Sequence, residues 1–225
     1  MKNIKAILFP SLIATILIVI LDLLTNSLNT QTNQWDFIYY IAMAKDGFSA
    51  ENLASPFAYR YITTAIVYLL TNLGLSIQNG FQLIAYIGAF SQLLGIYLFI
   101  HWLTQSNRAA WLSMVVTAFS IYNIKFLLFD IYRPDHLAYA LILIQTYFAL
   151  EKKFIPLLLL TLIGSQLREF NLIPLFAYLF MLAKEKRDAN FSKQLGLSLI
   201  FILPAIILPR LLIPVNEDYQ IVGFH

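Results

Sequence analysis

The sequence predicts an all-α membrane protein of about seven transmembrane helices, with an amphipathic interfacial helix in its first external loop. Three observations carry this. Hydrophobic residues make up 60% of the 225-residue chain and charged residues 12%, against about 45–50% and 25% in soluble domains; mean hydropathy is +0.72. Apolar stretches of about 20 residues, the length that crosses a bilayer, recur along the chain. Finally, the charges are sorted. Basic clusters are Lys2/Lys5, Arg108, Lys152/Lys153 and Lys184-Glu185-Lys186-Arg187 with Lys193. The acids and other arginines gather in Trp35-Asp36, Tyr59-Arg60, Asp130–His136 and Arg168-Glu169. One threading puts every basic cluster on one face of the membrane and the four acid/arginine sites on the other, as the positive-inside rule asks.

The net charge of +3 comes from these basic loops, so no separate basic face is left for nucleic acid. The absence of cysteine excludes disulfides, thiolate metal sites and cysteine nucleophiles.

The first helix is Ile4–Leu24. Its apolar run is long for a signal peptide and no small-x-small cleavage site follows, so it reads as a retained signal anchor. Residues 25–79 form the external loop. Within it, Arg60–Leu73 spaces Tyr61, Ile62, Ala65, Ile66, Leu69, Leu70 and Leu73 on one helical face, with Thr64, Tyr68, Thr71 and Asn72 opposite. At 14 residues, about 21 Å, it is short for a span, and a span here would put Lys152/Lys153 outside. It reads as a helix lying in the interface.

Helix 2 (80–102) then runs inward to a cytoplasmic loop with Arg108. Helix 3 (109–129) runs outward to an external loop at 130–135, and helix 4 (136–150) returns to Glu151-Lys152-Lys153. Residues 154–183 form a hairpin of two short helices over a recessed outer surface, with Arg168-Glu169 at its tip. Lys184–Lys193 is cytoplasmic, where the sequon at Asn190 stays unused, and helix 7 (194–213) carries Asn216-Glu217-Asp218 out. With no repeat or linker, residues 1–225 read as a single polytopic membrane domain in contact with membrane lipids.

Four sites carry the residues that do chemistry. Asp36 opens a helix, either as an N-cap or as a general base facing a pocket. Arg60, after Pro56-Phe57-Ala58-Tyr59, serves a lipid phosphate at the surface or grips a bound phosphodiester with its planar fork. Asp130-Ile131-Tyr132-Arg133-Pro134-Asp135-His136 packs two carboxylates, an arginine and an imidazole between two spans. An Asp–Arg pair closing a turn and a divalent-metal site using Asp130, Asp135 and His136 are both open there. Arg168-Glu169 lies in an apolar hairpin, where an ornamental pair is costly; Arg168 suits phosphate and Glu169 orients an arginine or a substrate hydroxyl. Lys125 either snorkels outward or adds a cation to the same pocket. Motifs of serine hydrolases, zinc proteases and nucleotide-binding proteins are absent from the sequence.

The order of these features resembles the GT-C superfamily, polytopic glycosyltransferases that use polyprenyl-phosphate sugars. The resemblance extends over residues 1–185. It implies that Asp36 is the catalytic base and that Asp130, with Asp135, forms the second acidic motif. Pro56–Arg60 is similar to the phosphate-contacting segment before the interfacial helix, and Gln166-Leu167-Arg168-Glu169-Phe170 is similar to an Asn-Arg-Glu-Thr stretch, with only Arg168 and Glu169 carried over. The implied protein is a multi-pass transferase of the bacterial inner membrane with a cytoplasmic N-terminus. It moves a sugar from a polyprenyl-phosphate donor to an envelope acceptor at the outer leaflet, with inversion. Catalytic residues are then Asp36, Asp130 and Glu169. Arg60, Arg133, Arg168 and Lys125 bind phosphate, and Tyr59, Asp135 and His136 complete the pocket. Usual members have more helices and often a soluble C-terminal domain, so this shorter chain is expected to be a fragment, a minimal core that works with a membrane partner subunit, or a member that has lost catalysis. The alternative is a non-catalytic membrane subunit, a lipid-phosphate-binding scaffold of an envelope assembly complex.

Overall fold

Backbone N–H and C=O groups cannot go unpaired in hydrocarbon, so long apolar runs close their hydrogen bonds within helices. The computed structural model describes residues 2–26, 37–49, 53–121, 123, 130–133, 135–184 and 189–215. Among them there is no strand. The helices are α1 (Lys2–Asn26), α2 (Phe37–Asp46), α3 (Tyr61–Asn72), α4 (Ile77–Thr104), α5 (Asn107–Ala118), α6 (Asp135–Leu150), α7 (Phe154–Ser165), α8 (Ile173–Lys184) and α9 (Ala189–Leu212). Short 3₁₀ turns occupy Gly47–Ser49, Phe57–Tyr59 and Glu169–Leu172. Three of the helices are long and apolar enough to cross a membrane, through Ile7–Leu24, Ile77–Thr104 and Phe191–Leu212. The chain is a helical membrane protein on that ground. Among the described residues the other expected spans are shorter, 12 residues in α5, 16 in α6 and 12 in each of α7 and α8.

Local chemistry sets the ends. Ser76 caps α4 by accepting the Asn79 N–H at 3.2 Å. Gly74, at φ +96°, ends α3 in the left-handed conformation, and the Leu75 N–H returns to the Leu70 carbonyl at 3.1 Å. One end differs from expectation. A continuous helix over 109–129 was expected, but α5 stops at Ala118. The Asn123 side-chain amide donates to the Thr117 carbonyl at 2.6 Å. It takes the acceptor that the Ile121 N–H would use in an unbroken helix.

Helix α4 is the hub, packing on α1, α3, α5 and α6. Its contact with α6 is the tightest. A Cβ at Gly88 would lie 2.6 Å from the His136 Cβ and 2.9 Å from that residue's carbonyl carbon, while one at Gly95 would meet Leu143 at 3.4 Å. Because Gly88 meets His136 and Gly95 meets Leu143, seven residues on in both helices, α4 and α6 run parallel. Against them α1 runs antiparallel. Its early Phe9 meets Trp111, which packs on Tyr97 late in α4, and its late Asp22 meets Tyr86. These directions place the starts of α1 and α5 and the ends of α4 and α6 at one end of the bundle. That end carries Arg108, Lys152 and Lys153.

One apolar core joins α1, α4 and α5 around Leu21, Leu93 and Met114; another joins α7, α8 and α9 around Leu157, Leu175 and Tyr178. A third, around Tyr40, Phe57, Val67 and Phe81, covers the opposite end of the bundle. As expected, α3 is a short helix at that end. It lies close on α4, since a Cβ on Gly80 would approach Val67 Cγ1 to 2.9 Å.

Candidate functional site

Four segments distant in sequence meet at the end away from Arg108 and Lys152. Arg60 follows the Phe57–Tyr59 turn and precedes α3. Asp135 is the first residue of α6, Arg168 and Glu169 make the turn after α7, and Tyr40 faces them from α2. Arg60 pairs with Glu169, with Nη2 3.1 Å from Oε2 and 3.3 Å from Oε1, and Nε 3.4 Å from Oε1. Arg168 pairs with Asp135 at 2.5 Å, Nη2 to Oδ2. The side chains of Arg60 and Arg168 are each 14% exposed, that of Asp135 5% and that of Glu169 46%. The cluster thus has a buried carboxylate at one side and a wet one at the other.

Burial alone would raise the Glu169 carboxyl. A hydrogen bond from its own backbone N–H and the charges of Arg60 and Arg168 overcome this and hold it below its ordinary value. Burial likewise works against the Arg168 charge, but Asp135 more than offsets it and the guanidinium is held above its usual value. Tyr40 is raised by burial, with Arg168 and then Arg60 the strongest opposing charges. Arg60 lies close to its hydroxyl, yet no hydrogen bond of proper geometry reaches that oxygen. Arg168 Nε is also buried without a partner.

The turn itself is braced from α9. Pro209 has no N–H, so the Ala205 carbonyl four residues earlier loses its helical donor. The Gln166 side-chain amide takes its place at 2.7 Å, and also bonds Ser165 Oγ at 3.1 Å. Behind Arg168 the Asn171 amide donates to its carbonyl at 3.4 Å, and Asn171 and Gln145 close over Gly164.

Of the residues expected from sequence, Arg60, Arg168, Glu169 and Asp135 come together. Asp130 and Arg133 form an ion pair within their own loop, three residues apart. His136 is buried against Gly88, in the α4–α6 contact. Tyr59 turns toward α9, where Arg210 lies 5.0 Å over its ring. Asp36 and Lys125 fall outside the described residues. A divalent metal at Asp130 and Asp135 does not fit what the described residues offer. They contain no group of three metal-ligating side chains, and both carboxylates are committed to arginines.

Two features escaped sequence reading. Tyr40 is one of them, because no local pattern separates a tyrosine of the membrane interface from one turned onto two arginines. Asp22 was passed over within an apolar run, although a carboxylate in a span is itself a signal. Its Oδ1 accepts a 2.5 Å hydrogen bond from Tyr86, whose hydroxyl accepts one from Gln82 at 2.7 Å. Asp22 and Tyr86 border a groove of about 330 Å³ between α1 and α4, lined also by Ile18, Val19, Ile87 and Phe90.

Compared with known protein families, curated proteins and solved structures, the chain matches none.

Proposed function

We propose that the chain is the core of a membrane glycosyltransferase, moving a sugar from a polyprenyl-phosphate donor to an envelope acceptor at the outer leaflet. The observation that carries this reading is the meeting of Arg60 and Arg168 with Glu169, Asp135 and Tyr40 at one end of the bundle. Guanidinium forks match phosphate oxygens in pairs. Two of them at one place supply what the reaction asks for as the glycosidic C–O bond breaks and charge develops on the leaving phosphate.

In this mechanism the acceptor hydroxyl attacks the anomeric carbon while its proton passes to Asp36, the residue that precedes α2. The phosphate departs with the bonding electrons and is held by the arginines. A single displacement inverts the anomeric centre. General-base assistance of this kind is worth about 10²–10⁴-fold. The relative directions of α1, α4 and α6 are those the seven-helix threading requires, and the positive-inside rule would then put the N-terminus and basic loops on the cytoplasmic side of an inner-membrane protein.

The test is polyprenyl-phosphate binding and sugar transfer by purified protein, wild type beside Asp36→Asn. Transfer lost while binding survives is the expected result; normal turnover by the variant removes Asp36 from the mechanism. One observation favours a second reading. Both arginines are already neutralised from within the chain, and their pairs staple the 57–60 turn and α6 to the 168–169 turn. A non-catalytic scaffold that binds lipid phosphate would do this, and it predicts binding without transfer in both proteins.

A further inference from the structure

Resting on the reading of the arginine cluster as a phosphate site, we propose that Glu169 is the site's internal stand-in for its ligand. Its carboxylate occupies Arg60 at rest and yields to a phosphate oxyanion, which also takes the Tyr40 hydroxyl and the Arg168 Nε–H.

The two carboxylates of the cluster are not equivalent. Asp135 is 5% exposed and close-bonded at 2.5 Å, so it has no route to water. Glu169 is 46% exposed, and its contacts with Arg60 run from 3.1 to 3.4 Å. Good charge-assisted pairs close to about 2.7–2.9 Å. Glu169 can therefore swing into solvent and keep its charge hydrated, while Asp135 stays to hold Arg168.

What the exchange offers is visible in the donors left over. Tyr40 is 1% exposed and its hydroxyl has no hydrogen-bond partner, and the Arg168 Nε atom is buried without one. A carboxylate at Arg60 reaches neither. Buried donors without acceptors are costly and rarely left so without a use. A phosphate group has more oxygens than a carboxylate and spreads them in three dimensions, so one group can meet Arg60, Arg168 and Tyr40 together. The Arg60 guanidinium lies 6.0 Å from the Phe57 ring centroid, which braces it on the side of the 57–59 turn.

The shared chemistry is a phosphate oxyanion, whether free or on an isoprenoid tail. The experiment measures binding of farnesyl phosphate and, separately, inorganic phosphate to the full chain in detergent micelles. Wild type, Glu169→Gln, Tyr40→Phe and Arg60→Gln are compared, with thermal unfolding of each recorded alongside. Glu169→Gln is expected to bind farnesyl phosphate about tenfold tighter, because the competing carboxylate charge is gone. Tyr40→Phe should bind about fivefold to tenfold weaker through the loss of one hydrogen bond. Parallel changes for inorganic phosphate would mean that the headgroup alone is recognised. Changes seen only with farnesyl phosphate would assign the site to a lipid-borne phosphate.

Wild-type binding that neither strengthens in a folded Glu169→Gln nor weakens in Tyr40→Phe overturns the exchange and leaves the transferase reading standing. Should Glu169→Gln fail to fold, an unchanged affinity in Tyr40→Phe overturns it alone. Arg60→Gln binding as tightly as wild type removes the phosphate site and both readings with it. Exchange confirmed in a protein that transfers no sugar would sink only the transferase.

Discussion

Arg168 reaches across 33 residues of chain to Asp135 and closes on it at 2.5 Å, with both side chains largely withdrawn from water. Taking one partner away leaves the other charge buried alone. Asp135→Asn is therefore expected to destabilise the protein by about 3–5 kcal/mol, whereas the double change Asp135→Leu/Arg168→Met, which removes both charges, should recover much of that loss. Denaturant or thermal unfolding in detergent separates the two. Equal losses in single and double variants would mean that the pair contributes through shape and not charge.

Glu169 titrates below its ordinary value in the folded protein, because its backbone hydrogen bond and the arginines outweigh burial. An unfolded glutamate titrates near 4.3. The stability it contributes is present above that pH and fades as pH falls through the lower folded-state value. With the side chain 46% exposed, solvent screens much of the effect. The stability gap between wild type and Glu169→Gln should hold from pH 7 to 5 and narrow below about 4; a gap independent of pH would show that the ion pair contributes nothing.

Gln166 and Pro209 make a matched pair. Gln166→Leu leaves the Ala205 carbonyl without a donor and is expected to cost about 1–3 kcal/mol. Pro209→Ala restores the helical N–H to that carbonyl, so the loss from Gln166→Leu should be smaller in that background. A double-mutant cycle with no coupling would refute the account of the brace.

The α4–α6 contact has no room at Gly88, where a new Cβ would meet the backbone of α6 at 2.9 Å. Gly88→Ala should force the helices apart and cost about 1–3 kcal/mol. Gly196, inside α9 with open space around it, is the control. Gly196→Ala should be neutral or stabilise by up to about 1 kcal/mol. Thermal unfolding of the two variants gives the comparison.

Sidedness is open to a direct measurement in a chain without cysteine. Ser49→Cys, beyond α2, and Ser106→Cys, between α4 and α5, lie at opposite ends of the bundle. An impermeant thiol reagent outside intact cells should label the first alone. Labelling of both would break the threading.

Most of the helices could be read from the sequence because their causes are local. The apolar run of α1, the spacing of Tyr61, Ala65 and Leu69 in α3, and Arg168-Glu169 interrupting the hairpin all sit within a few turns of chain. The break after Ala118 was missed because one side chain, Asn123, reaching back to the Thr117 carbonyl, outweighs a continuous apolar pattern. Charge sorting gathered Arg60, Asp135, Arg168 and Glu169 at one end, yet it says nothing about partners. Arg60 and Glu169 are 109 residues apart, and which acid meets which arginine follows from helix packing. The same packing turns Tyr40 onto the arginines and His136 onto Gly88, and no local pattern encodes either.

Two arginines and two carboxylates sum to no net charge. At distances beyond the roughly 8–10 Å over which salt screens exposed charges, the cluster therefore casts almost no field and cannot draw an anion in from bulk water. Recognition begins at contact, by exchange of one partner for another. Association rates at such a site should change little with ionic strength, and arrival by lateral diffusion within the bilayer matters more than attraction through solution.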